Sequence, residues 1–214
     1  MGKVFTHMTM SLDGFIADPN DQVGELFDWY GAGDVSVPTP NEEISFHVDD
    51  ASAEMLRELT GNTGALVSGR HLFDIANGWD DNHPAGAPVV VVTHRAPEDA
   101  AKRWPRTTFV DGVEAAITEA RQIAGDQDVT IASAKITQQA LDLGLVDEVC
   151  VCVSLVPVCS AKGSSTSRSW TGATNSSTTR SSSRDAAPFT CNTRSDVKPR
   201  PASVDPFGPD RALS

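Results

Sequence analysis

The sequence predicts an α/β fold, a mixed but largely parallel sheet with flanking helices, and three observations carry that prediction. Strand-like and helix-like periodicities alternate along residues 3–158. Pro88 is followed by four consecutive valines, Val89 to Val92, the mark of a strand buried on both faces. At Leu66-Val67-Ser68-Gly69-Arg70 and again at Thr130-Ile131-Ala132-Ser133-Ala134, a buried strand reaches a helix start through small residues.

Taken in order, Val4, Thr6, Met8 and Met10 alternate with Phe5, His7 and Thr9, which reads as a first strand. Ser11-Leu12-Asp13-Gly14 is a turn, and a polar loop is expected to run to about residue 47. Asp49 or Asp50 caps a helix whose apolar stripe is Val48, Ala51, Met55 and Leu59, and Thr60-Gly61-Asn62 ends it. Residues 64–69 form a short buried strand, followed by a helical turn over Arg70–Asp74. The valine strand comes next, then a short strand at Thr107–Val110. Asp111 with Glu114 is a capping pair for a helix carrying Val113, Ala116, Ile117, Ala120 and Ala124 on one face. Residues 128–132 are a strand, Ser133 an N-cap, and Ala134–Leu143 a helix closed by Gly144. Residues 145–158 read as one long final strand.

Composition changes abruptly after Val158. Of the last 56 residues, 13 are Ser and 7 are Thr, while Leu, Ile, Val and Phe together number five. Such a segment buries too little apolar surface to offset its chain entropy, so 159–214 is expected to be a disordered tail behind a single domain at 1–158. The tail carries eight Lys and Arg against four Asp; with −12 for the whole chain, the body holds −16. An acidic body of that size repels nucleic acid and anionic membrane. No run approaches 18 apolar residues, and the first residues lack the pattern of a secretory signal. Four Cys without a CxxC pair indicate neither a disulfide scaffold nor zinc, and a reducing cytoplasm is the expected compartment. The five His show no metal-ligand spacing, so no metal is expected. Cys150 and Cys152, two apart on one strand face, read as buried structural thiols.

The two small-residue junctions offer free N–H groups and the positive end of a helix dipole, which suits an anion. G-x-G-x-x-G and GxxxxGK[ST] are both absent. In sequence, MTMSLDGFIA, ALVSGRHLFD with the following Gly78-Trp79, PVVVVTHR, and VTIASAKITQQALDLGLVDEV ending in LVPV resemble the dihydrofolate reductase-like family that includes the reductase domain of riboflavin biosynthesis. The resemblance spans most of residues 3–158. It implies NADPH-dependent hydride transfer to a pteridine- or pyrimidine-like small molecule, and it leans towards a homodimer. Gly69 and Arg70 resemble one half of the family's cofactor clamp, and Thr93, His94 and Arg95 the other. Two guanidinium groups there favour NADPH over NADH, because the extra phosphate needs cationic donors. Ala132, Ser133 and Ala134 stand where the family has a Gly-Gly or Gly-Ser step for the pyrophosphate; Ala132 departs from it, since Gly permits backbone geometry that Ala does not. Ser11, Asp13 and Gly14 lie where the family binds substrate, Asp13 being the candidate catalytic carboxylate, and Trp79 is a further candidate cover. Ile131 replaces the substrate-binding Glu of the riboflavin-pathway reductase. Substrate choice is expected to lie in the polar segment 18–47.

After LVPV the family continues LLGxG and then two more strands; this chain reads Cys159-Ser160-Ala161-Lys162-Gly163. One nucleotide upstream, codons for those residues permit CTG-CTC-GGC-GAA-GGG, which is Leu-Leu-Gly-Glu-Gly. The same shift across Ala187–Thr193 permits Thr-Val-His-Leu-Gln-Tyr, an alternating strand. The expectation is a single-nucleotide indel near codon 158, with the closing strands of the sheet lost and an apolar edge exposed on the last strand.

Overall fold

The computed structural model describes residues 2–11, 14–42, 44–154, 164–165 and 190–195. Its centre is a seven-stranded sheet in the order β11-β9-β1-β8-β5-β6-β7. The strands are β1 (Val4–Ser11), β5 (Thr63–Gly69), β6 (Val89–Val92), β7 (Thr107–Val110), β8 (Asp128–Ile131), β9 (Glu148–Ser154) and β11 (Thr190–Ser195). Every pairing from β9 to β7 is parallel, and only β11 runs antiparallel. The mixed, largely parallel α/β sheet expected from the sequence is therefore present.

Alternation along each strand decides what covers each face. Val4, Val67, Val90, Val129, Ile131, Val149 and Val151 form one core with Val113, Ala116, Ile117 and Ala120 of α4 (Val113–Ala124) and Ile136 and Ala140 of α5 (Ala134–Asp142). On the opposite face, Leu66, Val89 and Val91 pack with Phe73 of α2 (Arg70–Ile75) and Trp104. The valine run thus serves both faces, as a two-sided buried strand must. Asp49 caps α1 (Asp50–Asn62), its carboxylate accepting the Ala51 and Ser52 N–H groups.

Two expectations need correction. The segment 18–47 is not a featureless loop: β2 (Phe15–Ala17) is followed by a 3₁₀ helix (Gly24–Gly31) and the hairpin β3 (Val35–Pro38) with β4 (Ser45–Val48). Its few apolar residues, Trp29, Val37 and Val48, are buried against Ala53 and Leu56 of α1. They are too widely spaced among polar residues and prolines for periodicity to reveal them. Asp111 does not cap α4, whose N-cap is Gly112 with no side-chain bond; its carboxylate is instead 2.6 Å from His94 Nδ1. The expected division into a domain at 1–158 and a tail at 159–214 falls mostly on residues outside the described ones; of the tail, 164–165 and 190–195 are described. Thr190–Ser195 pairs with Glu148–Val153 of β9, and β10 (Ser164–Ser165) pairs with β2. The outer edge of β9 presents unpaired backbone groups, and ladder bonds do not depend on side-chain hydrophobicity. Cys159–Gly163, where the frame argument begins, lie outside the described residues.

Candidate functional site

Because β1, β5, β6, β7, β8 and β9 are parallel, their carboxyl ends lie along one edge of the sheet. Ser11, Gly69, Thr93, Asp111, Ser133 and Ser154 all stand at that edge. The order also contains a switch point: from β5 the chain steps outward to β6 and β7, while from β8, beside it, the chain passes through α5 to β9 on the other side. Open α/β sheets form their ligand crevice at such a point.

Gly69 and Ser133 meet there. The Gly69 N–H donates to Ser133 Oγ at 2.8 Å, and Ser133 is 9% exposed. A Cβ on Gly69 would stand 3.2 Å from Ile136 and 3.4 Å from Ser133 Oγ, so the two junctions are in near contact. Ser133 is the N-cap of α5 by position, yet its side chain makes no cap bond. Its hydroxyl is committed to Gly69, leaving the first-turn N–H groups of α5 to an outside acceptor. Ala132, the departure from the family pattern, is absent from the positive-φ residues, so its backbone does not require glycine. Lys135 beside it is exposed.

The other half of the expected clamp is organised by Arg70. Its Nε donates to both Asp74 carboxylate oxygens at 2.7 and 2.9 Å, and its Nη1 donates to the Arg95 carbonyl at 2.8 Å. Thr93 Oγ1 donates to the same carbonyl at 3.0 Å. Arg70 therefore ties α2 to the 93–95 turn, with part of its charge already neutralised. Arg95 has no ion pair among the described residues, whereas His94 pairs with Asp111. Asp74 and Asp111 are contributors that sequence reasoning missed; the i,i+4 spacing of Arg70 and Asp74 was the available signal. A cleft of about 250 Å³ borders Arg70 and is lined also by Phe73, Asp74, Asn77, Arg103 and Trp104.

At the end of β1, Ser11 is fully buried, and its hydroxyl exchanges hydrogen bonds with the N–H and C=O of Phe15 at 3.0 and 3.1 Å. Gly14 closes the same turn, donating to the Ser11 carbonyl with φ of +90°, a conformation that suits glycine. Asp13 lies outside the described residues. Trp79 is not brought to this edge. It follows α2, which runs back along the sheet, and it packs on Phe73 and His83. Nearby Asp81 accepts from Arg106 N and Thr107 Oγ1 at the amino end of β7.

Beneath the β1 and β9 ends lies a cluster that the sequence did not announce. Tyr30 stacks between Trp29 and Phe46. Burial pushes its hydroxyl up to about 12, and nearby Cys152 adds to the rise. His7 Nε2 is 3.2 Å from Cys152 Sγ, which also contacts Met55 Sδ at 3.5 Å. Cys150 and Cys152 are both buried, as expected. No group of three metal-ligating side chains occurs among the described residues, and no described helix is long and apolar enough to cross a membrane.

No family model and no curated protein matches the chain. Among solved structures, a riboflavin biosynthesis protein from Shewanella sp. PV-4 is similar with a TM-score of 0.55 and 22% identity, over 77% of this chain and 82% of that one. That likeness shows a shared fold, a mostly parallel, helix-flanked α/β sheet.

Proposed function

We propose that the chain is an NADPH-dependent reductase that passes hydride to a pteridine- or pyrimidine-like small molecule at the carboxyl edge of the sheet. The Gly69 to Ser133 bond carries this reading, because it joins two strand-to-helix junctions at the switch point and leaves the α5 amino end uncapped. The name of the structural neighbour supports a reductase-like role in riboflavin biosynthesis.

The residues present fit the dinucleotide. The α5 start, with Ser133 and Ala134 behind Ala132, would hold the diphosphate, and Gly69 leaves open the space that a Cβ would fill. Arg95 supplies the cation for the additional phosphate; Thr93 and Arg70 hold the turn that carries it. NADPH, when bound, supplies the hydride, and the protein supplies position. Ser11 and Gly14 fix the turn from which Asp13 would meet the substrate. Ile131, fully buried, puts an apolar side chain where the riboflavin-pathway reductase has its Glu, which counts against that enzyme's own substrate.

A second reading is a nucleotide-binding protein without turnover, or a relic whose frame shifted near codon 158. The departure at Ile131 and the composition break favour it. Titration with NADPH and NADH followed by tryptophan fluorescence, and NADPH oxidation with pteridine and pyrimidine substrates, separate these readings. Selective NADPH binding with oxidation supports the reductase. Binding without oxidation supports the second reading, and absence of binding removes the cofactor assignment.

A further inference from the structure

The turn that carries Arg95 also carries a second charged pair. The Thr93 N–H donates to the Val110 carbonyl at 2.9 Å, which ties the 93–95 turn to the end of β7. Asp111 is the next residue, and its Oδ1 lies 2.6 Å from His94 Nδ1. A carboxylate can only accept, so Nδ1 carries the hydrogen and Nε2 is the nitrogen that gains or loses a proton. Both side chains stand in solvent, His94 94% and Asp111 69% exposed, so the pair supports no core.

The charge of the pair depends on that proton. With a neutral ring the pair is an anion, and with an imidazolium it carries no net charge. Arg70 is held by Asp74, Asp99 lies 3.9 Å from Arg103, and Arg95, Glu98 and Glu114 are exposed. Among the side-chain types around the turn, only imidazole changes charge between about pH 5 and 8. The other imidazole on these elements is His71 of α2, which pairs with Asp21 at 3.1 Å.

We propose that Asp111 is the charge that opposes the additional phosphate of NADPH and that His94 masks it when protonated, which makes the preference for NADPH over NADH depend on pH. Arg95 attracts that phosphate from the same turn. Asp111, at the end of the next strand, repels it unless the imidazolium cancels the carboxylate. At acid pH the pair is neutral and NADPH is preferred. As pH rises and the ring loses its proton, the uncompensated carboxylate returns and the preference falls. NADH lacks that phosphate and is little affected. The inference rests on the reductase reading and names the pair that adjusts cofactor choice at that site.

The test is a tryptophan-fluorescence titration of the full chain with NADPH and with NADH, at about pH 5.5 and about pH 8.5, in low and in high salt. The phosphate has its own second ionisation near pH 6, which affects every variant alike. Each affinity is therefore compared with that of His94→Gln at the same pH. The unchanged chain is expected to bind NADPH about three- to tenfold more tightly than His94→Gln at the lower pH, and equally at the higher one. Asp111→Asn is expected to bind NADPH more tightly than the unchanged chain at both pH values, with NADH affinity altered by less than about twofold throughout. High salt is expected to shrink these differences, because exposed charges are screened. His71→Gln is expected to keep the pH dependence. The proposal is overturned if His94→Gln responds to pH as the unchanged chain does, if Asp111→Asn binds NADPH no more tightly, or if His71→Gln abolishes the effect. NADPH binding without these differences removes the role of the pair and leaves the reductase reading standing. Absence of NADPH binding at either pH removes both.

Discussion

Arg95 and Arg70 look equivalent in sequence, but their surroundings divide the work. Arg70 spends its donors on Asp74 and on the Arg95 carbonyl, so it positions the turn. Arg95 is exposed and has no ion pair among the described residues, which keeps its charge available to a phosphate. A hydrogen bond to a charged group contributes about 1.5–3 kcal/mol, so Arg95→Gln is expected to weaken NADPH binding by roughly 10- to 100-fold. NADH binding should change little. Fluorescence titration checks both, and an unchanged NADPH affinity would take Arg95 out of the clamp. His83 gives a second prediction at this scale. Burial pushes its imidazole down to about 4 from an ordinary value of 6.5, and its Nδ1 accepts the Ala85 N–H, which requires the neutral ring. The unfolded chain takes up this proton first as pH falls. The contribution is therefore intact above about pH 6.5 and lost as pH drops to about 4, on the order of 3 kcal/mol in all. Denaturant midpoints of His83→Gln should show a flatter acid limb than those of the unchanged chain; parallel curves would refute the assignment.

At the scale of the element, helix starts separate by what their caps are used for. The Asp49 carboxylate is a conventional cap. Partial burial pushes it up, but bonds from the Ser52 hydroxyl and from the Ser52 and Ala51 N–H groups hold it below the usual carboxylate range. Asp49→Ala is expected to cost about 0.5–2 kcal/mol at neutral pH, less as pH falls through the carboxyl's lowered range, measured by urea denaturation. Ser133 is different, because its hydroxyl serves another element. Ser133→Ala strands the Gly69 N–H and is expected to cost about 1–3 kcal/mol in stability while also weakening NADPH binding. A loss of stability with unchanged NADPH affinity would make the bond purely structural. The Asp111-Glu114 spacing had every local feature of a capping box, yet a tertiary neighbour, His94, holds the carboxylate instead.

For the whole molecule, the open question is the β9 edge. β11 covers it with an antiparallel ladder along Glu148–Val153, so the apolar edge expected from the sequence is paired in the chain as written. Deleting residues 159–214 is expected to expose that edge and shift the protein towards aggregates, detected by light scattering, with faster hydrogen exchange along β9. A monodisperse truncated chain with unchanged exchange would show that β11 contributes nothing. Restoring the frame near codon 158 is expected to raise the thermal midpoint, since an alternating strand then replaces a Ser/Thr-rich one. Sequencing across that codon tests the indel directly, and an undisturbed frame with a matching transcript would end it.

The sequence alone determined the succession of β1, α1, β5, α2, β6, β7, α4, β8, α5 and β9 along the chain, the two-sided burial of the valine strand, and the small-residue junctions at Gly69 and Ser133. These depend on periodicity and side-chain size within a few residues, which a single chain records. It also marked Arg70, Thr93, His94 and Arg95 as one group through resemblance. Only the tertiary structure decided that Ser133 binds Gly69, that Asp74 and Asp111 occupy Arg70 and His94, and that Trp79 packs on Phe73 and His83. It likewise decided the strand order, the hairpin in the polar segment and the fate of the β9 edge. Each of these pairs groups or strands that local sequence does not link. Which partner a carboxylate, a hydroxyl or a strand edge finds is set by what the folded chain carries to it.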